Sequence, residues 1–126
     1  VLAETTQTAL SQYVPFYGSV TNPVDLTGVV LANPTYVGRC LEAVAADPGV
    51  DIAIAIVTFV PDQLFIEALA EAYEKTDKPV LIIWTGSARS DASDEAFRER
   101  AVPVYDSPAR AASGLAALMA MQGEVA

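Results

Sequence analysis

Two runs of apolar, largely β-branched residues constrain the fold of this 126-residue chain more than any other feature. They span residues 51–58, Asp-Ile-Ala-Ile-Ala-Ile-Val-Thr, and residues 80–85, Val-Leu-Ile-Ile-Trp-Thr. A strand with one face in water alternates apolar and polar residues, whereas a nearly continuous apolar run is typical of a parallel strand covered on both faces. Because parallel strands need long crossover connections, usually helices, the two runs predict an α/β fold.

Helical patterns separate these runs and produce an alternating order of elements. The sequence predicts a first short helix over residues 4–14. It then predicts strands over 20–26, 51–58, 80–85 and 102–105. Each strand is followed by a predicted helix, over 33–47, 61–75, 90–100 and 107–121. The expected architecture is one domain with a parallel sheet of about four strands and helices on both faces, in which Pro23 puts the first strand at an edge.

Composition excludes several functional classes. The chain has 16 acidic and 7 basic residues and a net charge of −9, which argues against nucleic acids and anionic membrane surfaces as partners. No apolar run reaches the length of a membrane span. Cys40 is the only cysteine, is expected in the core and forms no disulfide within the chain, which favours a cytoplasmic location. The chain contains no histidine, so we predict no catalytic residue and no metal site here.

Candidate ligand-binding residues lie where the predicted strands end, because ligands of α/β sheets bind beyond the carboxyl ends of the strands. That rule selects residues 27–28, 58–63, 85–87 and 106–107. The residues assigned to the rim of a phosphate or ligand site are Asn22, Asp25, Thr27, Gly28, Thr58, Asp62, Gln63 and Gly86. Structural alternatives stay open for several of them: local hydrogen bonds that fix a turn for residues 22–28, and a favourable first-turn acid for Asp62.

Four segments in register give the chain a resemblance to a known family. They are residues 18–28 (Gly-Ser-Val-Thr-Asn-Pro-Val-Asp-Leu-Thr-Gly), 47–51 (Asp-Pro-Gly-Val-Asp), 78–84 (Lys-Pro-Val-Leu-Ile-Ile-Trp) and 101–108 (Ala-Val-Pro-Val-Tyr-Asp-Ser-Pro). Together with the helix over 4–14, they resemble the second flavodoxin-like CoA-ligase domain of the nucleoside-diphosphate-forming acyl-CoA synthetases. That family includes ADP-forming acetyl-CoA synthetase and, more distantly, succinyl-CoA synthetase.

The resemblance implies a reaction and a set of partners. The family interconverts acyl-CoA, ADP and phosphate with a carboxylic acid, CoA and ATP through an acyl phosphate and a phosphohistidine. It implies CoA, ATP or ADP, and magnesium for the full enzyme, with none bound by this domain alone. It also implies neighbouring CoA-binding, histidine-bearing ligase and ATP-grasp domains. The matching helix here, opened by residues 58–63, would point its N-terminus at the phosphohistidine of the neighbouring domain.

The sequence departs from the family pattern at two places. The helix opening is Gly-rich in succinyl-CoA synthetase, whereas this chain has bulky Phe59 and Val60, then Pro61 and the anionic Asp62. In addition, a strand and a helix precede this segment in the family and supply the first strand of a sheet ordered 2-1-3-4-5. The chain is therefore expected to be a fragment that lacks that strand, and to form either an oligomer or a rearranged sheet edge.

Two other functional classes compete with the synthetase interpretation. Some protein lysine acetyltransferases carry a synthetase-like region, in which such a domain would bind an acyl-CoA effector or mediate assembly. A receiver-type signalling domain shares the fold but needs an acidic cluster at the first strand and a lysine late in the chain. Lys78 precedes its strand, so the receiver alternative is disfavoured.

Overall fold

The computed structural model describes residues 1–59, 61–86 and 89–125. Its helices are α1 (Glu4–Leu10), α2 (Val29–Ala32), α3 (Tyr36–Ala46), α4 (Gln63–Glu74), α5 (Asp91–Glu99) and α6 (Pro108–Val125). Its strands are β1 (Ala53–Val57), β2 (Val80–Trp84) and β3 (Val104–Tyr105). Within these residues, no helix combines the length and the apolar character needed to cross a membrane.

The strands form a parallel sheet in the order β1-β2-β3. The α/β class, the parallel sheet and the predicted strands around 51–58, 80–85 and 102–105 are therefore confirmed. Ala53 pairs with Val80 and Val57 with Trp84, so β1 and β2 are in register along their whole length. Among the described residues, only Val104 and Tyr105 extend the sheet on the other side of β2.

Helices cover both faces of the sheet. The inward residues of β1 and β2, such as Val57 and Ile82, pack with Leu41 of α3, Leu69 of α4 and Phe97 of α5 in one large core. On the opposite face, α6 contacts β2 and β3. Cys40, as expected, is buried: it joins a second apolar cluster formed with α1.

The predicted strand over 20–26 is wrong, and the sheet has three strands rather than about four among the described residues. This segment instead closes on itself: Ser19 and Asp25 form an isolated antiparallel bridge with backbone hydrogen bonds of 2.9 and 3.1 Å. Pro23 lies inside the bridged loop and has no N–H to donate. The segment therefore stays outside the sheet, with Asp25 bonded to Ser19 and not to β1.

Candidate functional site

The predicted site residues fall into two groups, one well before β1 in the chain and one just after β1 and β2. Asn22, Asp25, Thr27 and Gly28 lie in the loop that precedes α2. Thr58, Asp62, Gln63 and Gly86 lie where β1 and β2 end. The described residues show no hydrogen bond or ion pair joining one group to the other. Val60 and Ser87, which belong to the predicted ligand segments, lie outside the described residues.

The loop before α2 is held by its own hydrogen bonds. The Asp25 carboxylate accepts from the Thr27 backbone N–H at 2.8 Å, and the Thr27 hydroxyl accepts from the Val29 N–H at 3.4 Å. Thr27 has a φ of 60°, an uncommon left-handed conformation for a threonine. Asp25 and Thr27 thus make the turn-fixing contacts of the structural alternative, while Asn22 is exposed beside the groove described below.

The ends of β1 and β2 meet in a tightly packed pair of loops. The Thr85 N–H donates to the Val57 carbonyl at 2.9 Å. A Cβ placed on Gly86 would lie only 2.8 Å from the Phe59 carbonyl oxygen, so a glycine is needed for this approach. The Phe59 ring packs edge-on against Phe65 of α4, with ring centroids 5.1 Å apart. Phe59, just after β1, is therefore held against both Gly86 and α4.

Asp62 is the N-cap of α4, and its carboxylate accepts from the Phe65 N–H at 2.9 Å. This contact satisfies one of the free N–H groups of the first helical turn and places an anion at the positive end of the helix. Gln63 also makes a local contact: its side-chain amide donates a hydrogen bond to the Glu67 carboxylate at 3.1 Å. The end of α4 is exposed, and its electrostatics favour a cation or a neutral group over a second anion.

Asp47 forms a buried polar centre at the opposite end of the sheet. Its carboxylate accepts from the Ala3 and Gly49 N–H groups, each at 2.8 Å, and the ammonium of Lys78 bonds the Asp47 carbonyl. A hydrogen bond from Thr6 and the N–H group of Ala3 lower the pKa of Asp47 below its usual value, with smaller effects from Gly49 and Lys78. This centre ties the lead-in to β1 to the lead-in to β2. The Asp-Pro-Gly turn signature at 47–49 was the sequence signal for it.

An apolar groove runs along the free edge of β1. We call it the edge groove: it has a volume of about 450 Å³ and lies between β1, the loop at residues 22–26 and helix α3. Cys40 lies in its lining, and burial raises the pKa of the Cys40 thiol to about 11, so the thiol is protonated and unreactive near neutral pH. Sequence reasoning did not identify this groove as a site. The groove exists because none of the described residues pairs with the outer edge of β1, and the sequence alone does not show which strand edges stay unpaired.

The described side chains were also compared with the requirements of a metal site. Across residues 1–59, 61–86 and 89–125, no group of three His, Cys, Asp or Glu side chains is placed to hold a metal ion. Comparison with protein-family models, curated proteins and solved structures finds no match for this chain.

Proposed function

We propose that this chain is a flavodoxin-like CoA-ligase domain of a nucleoside-diphosphate-forming acyl-CoA synthetase. Such an enzyme interconverts acyl-CoA, ADP and phosphate with a carboxylic acid, CoA and ATP. The domain would contribute to the site of phosphate transfer without supplying its histidine, and would be inactive alone. The proposal includes a cytoplasmic location, because the single cysteine forms no disulfide within the chain.

The observation that carries the proposal is the position of the family-like segments in the fold. Residues 47–51 lead into β1, residues 78–84 contain β2, and residues 101–108 contain β3 and open α6. Three of the four segments that resemble one family therefore map onto consecutive units of the parallel sheet, in the order that the family would require, and the fourth, residues 18–28, precedes them as a loop. The open edge of β1 supports the corollary that the domain needs further polypeptide to complete its sheet.

The proposed contribution of this domain is α4, which begins at the carboxyl edge of the sheet. The family places a helix N-terminus there toward a phosphohistidine of the neighbouring ligase domain. The residues here do not fit direct binding of a phosphate, because the Asp62 carboxylate takes the Phe65 N–H and would repel a second anion. We therefore assign α4 a supporting position in the domain interface. The nucleotide, CoA and magnesium would be held by the CoA-binding, histidine-bearing and ATP-grasp domains.

The test is turnover by the full-length protein as its gene encodes it. Supplied with acetyl-CoA or another acyl-CoA, ADP, phosphate and magnesium, the protein should form ATP. It should also carry an acid-labile, base-stable phosphoryl group after incubation with labelled ATP. If the full-length protein yields neither ATP nor a phosphorylated histidine with a panel of acyl-CoA substrates, the synthetase proposal is wrong.

Asp62→Asn sharpens the test within this chain. Asparagine caps a helix about as well as aspartate but carries no charge, so α4 should persist while the repulsion is removed. If α4 faces the phosphate site, phosphorylation of the full-length protein should increase in Asp62→Asn. Asp91→Asn is the matched control, because Asp91 is an exposed acid in the first turn of α5. Equal phosphorylation in the two variants would remove α4 from the site.

Asp62 is also the observation that favours a second candidate, a regulatory or assembly domain of a protein lysine acetyltransferase. An anion at the helix end is a disadvantage in a phosphate-transfer site but not in a domain that no phosphate approaches. The second candidate predicts that the full-length protein binds an acyl-CoA in a calorimetric titration and acetylates a lysine substrate. It also predicts no ATP formation. Phosphorylation of a histidine would exclude it.

A further inference from the structure

Residues 1–26, which we call the strap, make few polar contacts with the rest of the domain. The strap forms its own hydrogen bonds within α1 and across the Ser19–Asp25 bridge. Among the described residues, each hydrogen bond between the strap and residues 29–125 ends on the Asp47 side chain. No ion pair within the same described ranges joins the strap to the other elements. A single side chain therefore provides the polar attachment of the strap.

The apolar contacts of the strap are also separate from the main core beside the sheet. Three strap side chains are buried in one cluster with α3: Leu2, Leu10 and Val14. Their partner in α3 is Cys40, whereas the main core is a different cluster. The Tyr13 ring meets the Tyr36 ring edge-on, with centroids 5.2 Å apart, and Leu26 packs against both clusters. The strap can therefore leave α3 while the contacts among β1, β2 and α4 persist.

Helix α1 depends on this docking for its own stability. It has seven residues, and its N-cap, Ala3, makes no side-chain hydrogen bond to the first turn. A helix this short is marginal in water when it stands alone. Asp47 supplies the missing cap from another element: its carboxylate accepts from the Ala3 N–H at 2.8 Å and places an anion at the positive end of α1. The Thr6 hydroxyl also hydrogen-bonds this carboxylate. The helix is therefore expected to form only while the strap is docked.

The two oxygens of the Asp47 carboxylate have different partners. Oδ2 accepts from Ala3 of the strap, whereas Oδ1 accepts from the Gly49 N–H at 2.8 Å. The ammonium of Lys78 bonds the Asp47 backbone carbonyl. Gly49 and Lys78 hold Asp47 in place whether or not the strap is docked, because neither belongs to the strap. One oxygen is thus committed to the lead-in to β1, and the other is available only to the strap.

The strap also forms one wall of the edge groove. Five of its residues line the groove: Leu2, Asn22, Pro23, Val24 and Leu26. Most of the remaining lining comes from α3 and β1, which belong to the main core. Cys40 lies where the two walls meet and is only 3 % exposed, because strap side chains pack against it. A displacement of the strap would therefore widen the groove and uncover the Cys40 thiol.

We propose that the strap opens and closes over α3 as one unit, that Asp47 is its latch, and that this motion controls access to the edge groove and to Cys40. Proteins open locally in contiguous cooperative units, and the units with few contacts to the rest of the fold open most readily. The strap has the features of such a unit, since its hydrogen bonds are internal and its apolar cluster is its own. The inference rests on these contacts and is independent of the proposed function.

The rate at which Cys40 reacts with a disulfide reagent at mildly alkaline pH tests this latch. Cys40 is the only thiol and is covered in the closed state, so its reaction reports opening. Asp47→Asn keeps an oxygen for the Gly49 N–H and replaces the oxygen that serves Ala3 with an amide nitrogen that accepts no hydrogen bond. The reaction should be at least about tenfold faster than in the wild type, because hydrogen bonds to a charged group are lost. Asp51→Asn, which changes an exposed acid, should match the wild type.

A second pair of variants leaves Asp47 and the lead-ins to the strands intact. Thr6→Val removes the hydroxyl that meets the Asp47 carboxylate and keeps the size of the side chain. Thr8→Val is the matched control in the same helix, because the exposed Thr8 hydroxyl donates only to the Glu4 carbonyl, at 2.8 Å. Thr6→Val should speed the Cys40 reaction several-fold, and Thr8→Val should leave it unchanged. Equal rates in the two threonine variants, or an unchanged rate in Asp47→Asn, overturn the assignment of Asp47 as the latch.

Ile82→Ala separates opening of the strap from unfolding of the whole domain. Ile82 is fully buried in the main core and belongs to a different cluster from Cys40, so its truncation weakens the domain without touching the strap. If the strap opens on its own, Cys40 should react in Ile82→Ala at the wild-type rate although the urea midpoint falls. A rate that rises in step with the loss of stability would mean that Cys40 is reached only by global unfolding, and would overturn the proposal.

Hydrogen exchange of the wild-type chain, followed by mass spectrometry, tests whether the strap moves as one unit. The amides of α1 should exchange together and at least about tenfold faster than those of β2, because they need only the local opening. Saturation of the exchange of α1 and β2 on the same timescale would contradict a separate strap.

Discussion

Strands β1 and β2 have nearly the same sequence character but different surroundings. Each has five residues, Ala-Ile-Ala-Ile-Val and Val-Leu-Ile-Ile-Trp, and the two are paired in register. All residues of β2 are buried, whereas Ile54 and Ile56 of β1 are largely exposed. Their partners across the ladder, Leu81 and Ile83, are 6 % exposed, so the difference arises between neighbouring positions on one face.

This difference shows that an apolar strand pattern indicates that the strand suits a buried position. The pattern does not guarantee that the same chain provides the neighbours that bury it. β2 has a strand on each side and α6 over its outer face. β1 has β2 on one side and the edge groove on the other. Exposed isoleucines on an unpaired edge are a hazard for aggregation, which natural proteins reduce by covering or charging such edges. The absence of charge on β1 is therefore consistent with an edge that is meant to be covered.

The largest expected difference between the two strands is in the effect of truncating one isoleucine. Ile82→Ala removes a fully buried side chain from the center of β2 and should lower the free energy of unfolding by about 2–5 kcal/mol. Ile56→Ala removes a side chain that is 63 % exposed and should cost less than about 1 kcal/mol. Urea unfolding followed by far-UV circular dichroism measures both. Equal losses would mean that Ile56 is covered in solution and would erase the contrast.

The sequence predicted the elements with strong internal patterns and failed where partners decide the outcome. Runs 51–58 and 80–85 are strands because β-branched apolar residues suit a parallel ladder whatever the neighbours are. Residues 20–26 mix Val and Leu with Thr, Asn, Pro and Asp, and Asp25 makes its backbone hydrogen bonds locally with Ser19. Whether a segment pairs with a strand far away in the sequence depends on the whole fold and cannot be read from a few neighbouring residues.

The sequence likewise predicted only part of the candidate site. The sequence predicted a helix from Pro61 with Asp62 as an acid in its first turn, whereas α4 begins at Gln63 and Asp62 is its N-cap, which accepts from the Phe65 N–H. The assignment of these residues to a phosphate site stays a prediction. The edge groove could not be foreseen as a cavity, because its volume depends on how the loop at residues 22–26 is held away from β1.

A substitution where the ends of β1 and β2 touch should have the next largest effect. In Gly86→Ala the new Cβ would meet the Phe59 carbonyl oxygen at 2.8 Å and the Phe59 nitrogen at 3.2 Å, so backbone must move. We expect a loss of about 1–3 kcal/mol in urea unfolding. Gly28→Ala is the control, since the nearest atom to its Cβ is 4.0 Å away in Leu31. If Gly86→Ala is as stable as this control, the two strand ends are less tightly packed than described.

A pH-dependent effect should appear where the lead-ins to β1 and β2 are joined through Asp47. Its pKa is lowered in the folded state, so its stabilising contribution is present above the unfolded pKa of about 3.9 and is lost as the pH falls through the folded pKa. Asp47→Asn should therefore be less stable than the wild type at pH 7, and the difference should shrink below about pH 4. Urea midpoints at pH 7, 5 and 3 measure this.

The control for this pH dependence is Asp51→Asn, which changes an exposed acid four residues further along the chain. Asp51→Asn should follow the wild type at each pH, because the described contacts give its carboxylate no hydrogen bond. A difference between wild type and Asp47→Asn that persists unchanged at pH 3 would show that geometry, rather than charge, accounts for the role of Asp47.

The smallest contrast concerns the helix caps that follow the two strands. Asp62 caps α4 after β1, and Ser90 caps α5 after β2 by accepting from the Ser93 N–H at 3.2 Å. Each alanine variant should lose about 1 kcal/mol in urea unfolding, and Asp62→Asn should lose almost nothing. Because a cap acts on its own first turn, the two losses should be similar despite the different burial of β1 and β2. If Asp62→Ala is neutral while Ser90→Ala is not, the open edge of β1 already weakens the start of α4, and the contrast between the strands extends into the helices that follow them.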